Sequence, residues 1–236
     1  MTNAAWRLHV YETLGSTSDL CRSLAATGEP DGLAVMARRQ TAGRGSRGRT
    51  WLSDAGNLSL SLLLRPGGRA RDAGHWALLA GVAVAESLDR SGVALKWPND
   101  ILFEGAKCGG VLVETATDAE GRLDWLVIGI GVNLASAPDL DDRKITSLRG
   151  IAADDLAAQI MARVDHWRCI QDWPSIRAAW LSHALPAGSR MTLRRETGDV
   201  CGSFAGLADD GSLLLQTAGR VHAFSSGEIW LDSPTC

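Results

Sequence analysis

Residues 40–51 read QTAGRGSRGRTW, and three glycines and three arginines fall within the seven residues 43–49. Glycine lets backbone amides come close to an anion, and the forked guanidinium of arginine binds two oxygens of a phosphate or carboxylate. We call residues 43–49 the Gly/Arg loop, and its composition predicts an anion-binding segment. The alternative from these residues alone is a solvated basic loop.

The same glycines formally match the dinucleotide-binding fingerprint G-x-G-x-x-G, at Gly43, Gly45 and Gly48. That fingerprint needs a strand before it, a helix after it and an acidic residue about 20 positions further on. Residues 49–57 do not have the pattern of a helix, and the downstream acid is missing. These residues therefore argue against a dinucleotide cofactor, and the anion is not yet named.

Secondary-structure patterns on both sides of the loop predict an α+β fold. Before the loop the chain reads as strand, helix and strand, with Ser16 or Thr17 as the helix N-cap. After it, strand patterns cover residues 58–64, 93–97, 101–103, 108–115 and 125–134. Helical spacing covers residues 75–89, 153–170 and 175–183. We expect a mixed sheet flanked by helices in a domain that spans residues 1–186.

The character of the sequence changes after about Pro186. Short strand patterns alternate with turns over residues 191–195, 200–207, 212–216, 221–224 and 228–231. Asp210-Gly211 is a two-residue signal of a β-hairpin. Residues 187–236 are therefore predicted to form a small C-terminal β-barrel domain.

Composition excludes several classes of protein. The formal net charge of −3 argues against general binding to nucleic acid, which needs a basic face. No run approaches the roughly 18 apolar residues of a membrane span, and residues 1–10 contain no apolar leader. The five cysteines are scattered without a C-x-x-C pair, so we expect reduced thiols and no zinc site. A cytoplasmic protein with no membrane or nucleic-acid partner is predicted.

Two short motifs contain lysines beside acidic or small residues. In Lys96-Trp-Pro-Asn-Asp100, Lys96 would meet a phosphate and Asp100 would help to hold a divalent metal. The simpler interpretation is a tight turn with an exposed ion pair. Lys107 precedes Gly109-Gly110 at the start of a predicted buried strand, where small residues let a flat ligand pack against the backbone.

Alternating glycines mark a third segment, Ile128-Gly-Ile-Gly-Val-Asn133. Gly129 and Gly131 remove the side chains from one face of this apolar strand. That face is available either to a ligand or to the close packing of another element, and the pattern leaves both interpretations open.

Taken in order, these motifs resemble those of the biotin–protein ligases, also called biotin–[acetyl-CoA-carboxylase] ligases. The resemblance begins at Ser16-Thr-Ser and Gln40, includes the Gly/Arg loop up to Trp51, and continues through K-W-P-N-D, K-x-x-G-x-L-x-E and G-x-G-x-N. It extends to Ser226-Gly-Glu228 and so covers nearly the whole chain. Only 15 residues precede Ser16, so we expect the short form without an N-terminal DNA-binding domain.

The resemblance implies both a fold and a reaction. The fold would be a catalytic domain similar to class II aminoacyl-tRNA synthetases, with an SH3-like C-terminal barrel. The enzyme would use ATP and Mg²⁺ to convert biotin into biotinyl-5′-AMP. It would then transfer biotin to one lysine of the biotin carboxyl carrier protein of acetyl-CoA carboxylase. A homodimer is compatible with the family. The alternatives are a lipoate–protein ligase-like enzyme and a non-catalytic biotin-binding protein.

Matching motif positions give individual residues an implied role. The biotin-binding residues would be Ser16, Thr17, Ser18, Gln40, Gly43, Arg44, Gly45, Ser46, Lys107, Gly109, Gly110, Gly129 and Gly131. ATP and the adenylate would contact Arg44, Arg47, Arg49, Trp51, Lys96 and Asn133. Asp100 would bind the metal. Catalysis would rest on Lys107, Arg44 and Lys96, with Lys107 bridging the biotin carboxylate and the α-phosphate.

One position departs from the family pattern. The loop commonly reads GRGR, whereas Ser46 stands at the fourth position here. Either Arg47 or Arg49 compensates for the missing guanidinium, or the adenylate is held less tightly and escapes to stray amines. The sequence leaves both hypotheses open.

Overall fold

Two β-sheets organise the residues that the computed structural model describes, which are 6–139, 144–170 and 172–231. The first sheet has seven strands in these ranges: β1 Arg7–Leu14, β2 Leu33–Gln40, β3 Leu58–Leu64, β4 Val93–Lys96, β5 Asp100–Phe103, β6 Ala106–Thr117 and β7 Leu123–Val132. Their order across the sheet is β1-β2-β3-β7-β6-β5-β4. Strands β1 and β2 are parallel, because a helix between them returns the chain to the same end, and the other neighbouring pairs are antiparallel.

Four α-helices in the described ranges accompany this sheet: α1 Thr17–Ala26, α2 Ala73–Leu88, α3 Ala153–Ile170 and α4 Trp173–His183. Ser16 caps α1, since its side chain accepts a hydrogen bond of 3.3 Å from the backbone amide of Asp19. Asp172 caps α4 through the amide of Ser175, and Pro174 lies in the first turn, where no amide hydrogen is needed. Helix α3 spans the range that helical spacing predicts.

Strand β3 shows why the two faces of the first sheet differ. Leu58, Leu60 and Leu62 belong to the large apolar core that includes residues of α2, α3 and α4. Ser59 and Ser61 lie on the opposite face, because successive side chains of a strand alternate. Ser61 contacts the start of α1 there. One face is therefore closed by leucines, whereas the α1 face carries hydroxyl groups.

The second sheet is antiparallel and has five strands in the described ranges: β8 Arg190–Arg194, β9 Val200–Leu207, β10 Leu213–Thr217, β11 Arg220–Phe224 and β12 Glu228–Trp230, in the order β11-β10-β9-β8-β12. Trp180 of α4 packs edge-on against Phe204, with ring centroids 6.4 Å apart. The indole of Trp97 donates a hydrogen bond of 3.0 Å to the carbonyl of Gly211. The K-W-P-N-D turn therefore lies against the β9–β10 hairpin, and the two sheets share one core.

The fold class predicted from the sequence is confirmed, with a mixed sheet, flanking helices and a separate antiparallel sheet in the C-terminal region. Several strand boundaries differ from the predicted ranges, and β7, for example, covers Leu123–Val132 rather than residues 125–134. The amide of Leu134 donates to Asn57 Oδ1 over 2.9 Å instead of continuing the ladder. No α-helix within the described ranges is both long and apolar enough to cross a membrane.

The cysteines are only partly as expected. Cys21, Cys108 and Cys169 are free, and burial raises the pKa of the Cys21 and Cys108 thiols to about 12. Cys201 is disulfide-bonded, so the expectation of reduced thiols is wrong at that residue. Cys236 lies outside the described residues.

Candidate active site

A pocket lies on the α1 side of the first sheet, and glycines form its floor. Gly129 and Gly131 come from β7, and Gly110 comes from the neighbouring strand β6. A Cβ at Gly129 would lie 2.5 Å from Ser18 Oγ, and one at Gly131 would lie 2.5 Å from the indole of Trp51. The alternating glycines therefore allow α1 and Trp51, which lies two residues after the Gly/Arg loop, to approach the sheet closely.

Hydroxyl and amide groups form the polar part of this pocket. Gln40 Oε1 accepts hydrogen bonds from the backbone amide of Thr17 over 2.8 Å and from its hydroxyl over 3.1 Å. Ser61 Oγ donates to Thr17 Oγ1 over 2.7 Å and lies 3.0 Å from Ser18 Oγ. Ser16 lines the same pocket. The polar residues that the sequence singled out therefore meet in one place, and β3 adds Ser61 to their network.

A cluster of Lys96, Asp100 and Lys107 lies beside the pocket. Asp100 Oδ2 is 2.7 Å from Lys96 Nζ, and Asp100 Oδ1 accepts a hydrogen bond from Lys107 Nζ. Burial opposes the ionisation of Asp100, but attraction to Lys107 and Lys96 outweighs it and holds the pKa of this carboxyl below its usual range. The alternative of an exposed ion pair is wrong, since these side chains are largely buried, and the cluster carries one excess positive charge.

These contacts limit what metal Asp100 can hold. Both of its oxygens are engaged by lysines, and the described part of the chain contains no group of three histidine, cysteine, aspartate or glutamate side chains placed to bind a metal ion. A resident metal does not fit such a donor set. A Mg²⁺ that arrives with nucleotide phosphates needs only one or two protein carboxylates, and contact with Asp100 in that role stays a prediction.

Arg44 is held at the edge of the pocket by two carboxylates. Its guanidinium lies 2.7 Å from Asp19 Oδ1 and 3.0 Å from Glu114 Oε1. The same carboxylates pair with Arg22 over 2.9 and 3.1 Å. Asp19 and Glu114 have no recognisable role in the sequence, because no linear pattern connects them with Arg44. A ligand anion would have to compete with these carboxylates for Arg44.

The Gly/Arg loop folds back on itself as a narrow turn. The carbonyl of Gly43 accepts a hydrogen bond of 2.9 Å from the amide of Trp51, and the amide of Gly45 donates to the carbonyl of Arg49 over 2.8 Å. Residues Ser46–Gly48 form a 3₁₀ turn between them. A Cβ at Gly43 would collide with the Trp51 carbonyl, so glycine is required there by the loop itself.

The last two arginines of the loop are tied to the second sheet. Glu228 in β12 accepts a hydrogen bond from Arg49 and lies 3.6 Å from Arg47. Arg49 Nη2 also donates to Ser46 Oγ over 3.2 Å, so the hydroxyl at the unusual position supports a neighbouring guanidinium. In the sequence Glu228 is recognisable only as part of Ser226-Gly-Glu228, because 179 residues separate it from Arg49.

Asn133 Oδ1 and Trp51 Nε1 are among the buried side-chain atoms for which the described residues supply no hydrogen-bond partner. An unsatisfied buried group costs roughly 1–3 kcal/mol, so each of these atoms favours a ligand that can pair with it. Asn133 Nδ2 donates to the carbonyl of Thr146 over 3.3 Å. This bond orients the amide and leaves its oxygen to accept from a ligand.

The predicted residues divide between two adjoining cavities. The first, of about 40 Å³, is lined by Ser16, Thr17, Ser18, Gln40, Arg44, Gly45, Ser46, Trp51, Lys107, Gly110, Gly129 and Gly131. The second, of about 220 Å³, is lined by Ser46, Arg47, Arg49, Asp100 and residues 225–229. Gly43, Lys96, Gly109 and Asn133 line neither of these two cavities. Gly109 serves strand packing, since its Cβ would lie 2.9 Å from the carbonyl of Gly131.

The first cavity is nearly filled in this conformation. Small-molecule pockets typically measure about 300–1,000 Å³, far more than this one. The indole of Trp51 lies against Gly131, and Lys107 Nζ is 5.7 Å from the Trp51 ring centroid. A ligand that reaches the glycine floor must therefore displace Trp51 together with the end of the loop.

Comparison with known proteins identifies the class. Residues 11–133 match the Biotin/lipoate A/B protein ligase family, and residues 188–232 match the Biotin protein ligase C terminal domain. The first match includes the polar pocket, the Gly/Arg loop and the lysine cluster. The chain belongs to the Biotin/lipoate A/B protein ligase family.

Individual relatives narrow this class to the biotin protein ligases. The chain is 37% identical over 217 residues to the biotin–[acetyl-CoA-carboxylase] ligase of Paracoccus denitrificans, covering 83% of this chain and 89% of that protein. It is 34% identical over 249 residues to the ligase of the same name from Mycobacterium tuberculosis, covering 96% and 90%. The structure resembles the Aquifex aeolicus biotin protein ligase in complex with biotin and ATP, with a TM-score of 0.79, 28% identity and coverage of 94% and 97%. The resemblance noted in the sequence is confirmed.

Proposed function

We propose that this protein is an ATP-dependent ligase that forms biotinyl-5′-AMP and transfers biotin to a lysine of the biotin carboxyl carrier protein of acetyl-CoA carboxylase. The observation that carries the proposal is Lys107, which lines the glycine-floored pocket and is held there by Asp100. Relatives named for this activity match most of the chain. The lipoate alternative is less favoured, because residues 188–232 match a domain of biotin protein ligases.

Biotin has a polar ureido ring, an apolar tail and a terminal carboxylate, and the pocket offers a complement to each. Thr17, Ser18 and Gln40 supply hydrogen-bonding groups for the ureido ring. The glycine floor supplies a surface for the ring and tail once Trp51 has moved. The carboxylate then lies toward Lys107 and Arg44, which are the cations that line this pocket among the described residues.

The first chemical step brings two anions together. A carboxylate oxygen of biotin attacks the α-phosphorus of ATP, the bond from that phosphorus to the bridging oxygen breaks, and its electron pair leaves with pyrophosphate. The ammonium of Lys107 offsets the repulsion between carboxylate and phosphate. Lys96, which pairs with the same Asp100, is a second positive charge close to this site. No protein nucleophile is needed, because the substrate carboxylate is itself the nucleophile.

Asn133 and Trp51, which each have a buried atom without a hydrogen-bond partner among the described residues, would bind the adenine. Asn133 Oδ1 would accept a hydrogen bond from the adenine amino group, and Trp51 would pack against the base after leaving Gly131. Mg²⁺ would arrive with the ATP phosphates, neutralise part of their charge and contact Asp100. The second step is attack of the carrier lysine amine on the mixed anhydride, which releases AMP.

The remaining features of the proposal concern the whole protein. Residues 1–186 would form the catalytic domain and residues 187–236 the C-terminal barrel, which agrees with the start of β8 at Arg190 and with the family match from residue 188. We also propose that the protein acts in the cytoplasm without a nucleic-acid partner. A homodimer through the catalytic sheet stays a prediction.

Transfer to an isolated carrier domain tests this function. The protein, biotin, ATP and Mg²⁺ are incubated with the carrier, and labelled carrier is detected with streptavidin. We expect labelling that needs ATP and is lost when the target lysine of the carrier is replaced by arginine. Biotin binding without ATP consumption would instead support the non-catalytic alternative.

A further inference from the structure

We propose that Arg22 is a positioning residue for biotin binding, because it keeps Asp19 and Glu114 paired when Arg44 turns from them to the ligand carboxylate. The inference rests on the proposed function and concerns how its pocket makes a cation available. Arg22 lies in α1 and lines neither of the two cavities, so it would act through Arg44 rather than on the ligand.

The two arginines share the same two carboxylate oxygens. Asp19 Oδ1 lies 2.9 Å from Arg22 Nη2 and 2.7 Å from Arg44 Nη1. Glu114 Oε1 lies 3.1 Å from Arg22 Nη1 and 3.0 Å from Arg44 Nη1. We call these four residues the charge quartet. Each carboxylate of the quartet is paired twice, so the departure of one guanidinium leaves the other in contact.

The fold places the Arg22 half of the quartet on rigid elements. Asp19 and Arg22 are three residues apart in α1 and therefore lie on one side of this helix. Glu114 lies on the same face of β6 as Gly110, which lines the first cavity, because alternate residues of a strand share a face. Arg44 instead comes from the Gly/Arg loop. The loop can thus move while Arg22 keeps its contacts with both carboxylates.

The charges show why this second cation matters. Two guanidinium groups and two carboxylates give the quartet no net charge. When Arg44 turns to a ligand anion, the three remaining members carry one excess negative charge. Without Arg22 the same movement would leave two carboxylates without these cations, and the Glu114 side chain is only 17% exposed. Because a largely buried carboxylate without a cation is unfavourable, the ligand would compete less well for Arg44.

Arg44 is held firmly enough for this competition to count. Its hydrogen bond to Asp19, together with the attraction of Glu114 and Asp19, raises the pKa of the Arg44 guanidinium above its usual value. A ligand carboxylate therefore exchanges one anionic partner of Arg44 for another. Such an exchange is close to balanced only if the carboxylates that Arg44 leaves keep a cation of their own, and Arg22 is that cation.

Binding of biotin and of biotinamide, in which a neutral amide replaces the carboxylate, tests this role. Isothermal titration calorimetry would compare the wild type with Arg22→Gln. The Kd for biotin should rise about fivefold in the variant, as expected for the loss of an ion pair among partly exposed side chains. The Kd for biotinamide should not change, because a neutral ligand does not draw Arg44 away from its carboxylates.

Asp19→Asn supplies a rescue that a merely structural role of Arg22 would not show. In the double variant Arg22→Gln/Asp19→Asn, movement of Arg44 leaves only Glu114, so one excess negative charge remains, as in the wild type. The double variant should bind biotin within about twofold of the wild type. Asp19→Asn alone should change the Kd by about twofold at most, since Arg22 still pairs with Glu114. The two substitutions are therefore expected to be non-additive.

Arg122→Gln is the matched control. Arg122 lies 2.9 Å from Asp118 and 3.4 Å from Glu120 in the turn between β6 and β7, so its loss also removes one positive charge from two carboxylates. None of these three residues lines either cavity. The Kd of this variant for both ligands should equal that of the wild type. Thermal unfolding of each variant would establish that it is folded.

An unchanged Kd for biotin in Arg22→Gln would overturn the proposal, and so would a rise of the same size in Arg122→Gln. Equal weakening for biotin and biotinamide would make Arg22 a structural residue of α1 instead. Selective weakening for biotin that Asp19→Asn does not rescue would mean that Arg22 acts on the ligand without the quartet, contrary to the proposal. Wild-type protein that binds no biotin would count against the proposed function itself.

Discussion

Lys107 and its ion partner account for the chemistry at the scale of single residues. The ammonium of Lys107 lines the pocket while Asp100 binds it from the other side and also binds Lys96. Because Asp100 keeps one lysine when the other is removed, substitution of Lys107 leaves a paired buried carboxylate. A loss of activity at Lys107 can therefore be separated from a loss of the fold.

We expect Lys107→Ala to lower the rate of biotin-dependent adenylation by about 10²–10³, as for the removal of one electrostatic contact to the transition state. Lys107→Arg should recover part of the rate, since it restores the charge with a different geometry. The measurement is the kcat of ATP–pyrophosphate exchange on protein shown to be folded. Retention of most of the wild-type kcat in Lys107→Ala would remove this residue from the mechanism.

A second prediction at this scale concerns the glycine floor. In Gly129→Ala the new Cβ would meet Ser18 Oγ at 2.5 Å, so we expect a raised KM for biotin and a loss of about 1–3 kcal/mol in the free energy of unfolding. Gly74→Ala in α2 is the control, because no atom lies within 4 Å of its Cβ and helix propensity favours alanine. A KM for biotin that is the same in both variants would contradict the placement of the floor.

At the scale of elements, the Gly/Arg loop is held in place by contacts to the second sheet. Its 3₁₀ turn is tied to β12 by Arg49 and Glu228, and Ser46 Oγ accepts a hydrogen bond from Arg49. These contacts support the hypothesis that Arg49 compensates for the serine at the fourth loop position. They also predict that the adenylate is retained rather than lost to stray amines.

Transfer of biotin to a non-cognate protein such as albumin measures that retention. We expect negligible labelling by the wild type and clear labelling by Arg49→Ala, in which both Glu228 and Ser46 lose their contact with this guanidinium. Arg122→Gln serves as the control for the loss of an arginine, because Arg122 pairs with Asp118 in the turn between β6 and β7. Strong labelling of albumin by the wild type would favour the leakage hypothesis instead.

The bounds of helices and strands could be predicted where apolar residues recur at the spacing of a helix or a strand. The spacing of apolar residues gave α3 and β3 with the observed bounds. The apolar run 33–37 predicts only the first part of β2, because Arg38, Arg39 and Gln40 are polar and belong to the strand through backbone pairing with β1. The site residues were found from motifs, whereas the partners of the loop arginines were not, since contacts across 179 residues leave no local pattern.

At the scale of the whole molecule, a stacked pair joins the helices to the second sheet. His75 of α2 lies 3.8 Å from the ring of Trp173 in α4, beside the β9–β10 hairpin. Burial lowers the pKa of His75, against the opposing attraction of Asp72 and Asp210. A histidine whose pKa is lower in the folded state contributes its full stabilisation above the unfolded-state pKa of 6.5. This stabilisation is lost as the pH falls through the folded-state pKa.

The melting temperature of the wild type should therefore fall between about pH 7.5 and about pH 5 by more than that of His75→Gln, which has no proton to gain there. The two proteins share their other titratable groups, so the difference isolates His75. Equal falls in both melting temperatures would show that protonation of His75 does not weaken the contact between the helices and the second sheet.

ATP–pyrophosphate exchange measured side by side with biotin and with lipoate tests which acid the pocket activates. It reports adenylate formation and ligand identity together, without a carrier protein. We expect exchange that depends on biotin and no exchange above background with lipoate. Exchange with lipoate at a comparable rate, or with neither acid, would contradict this expectation.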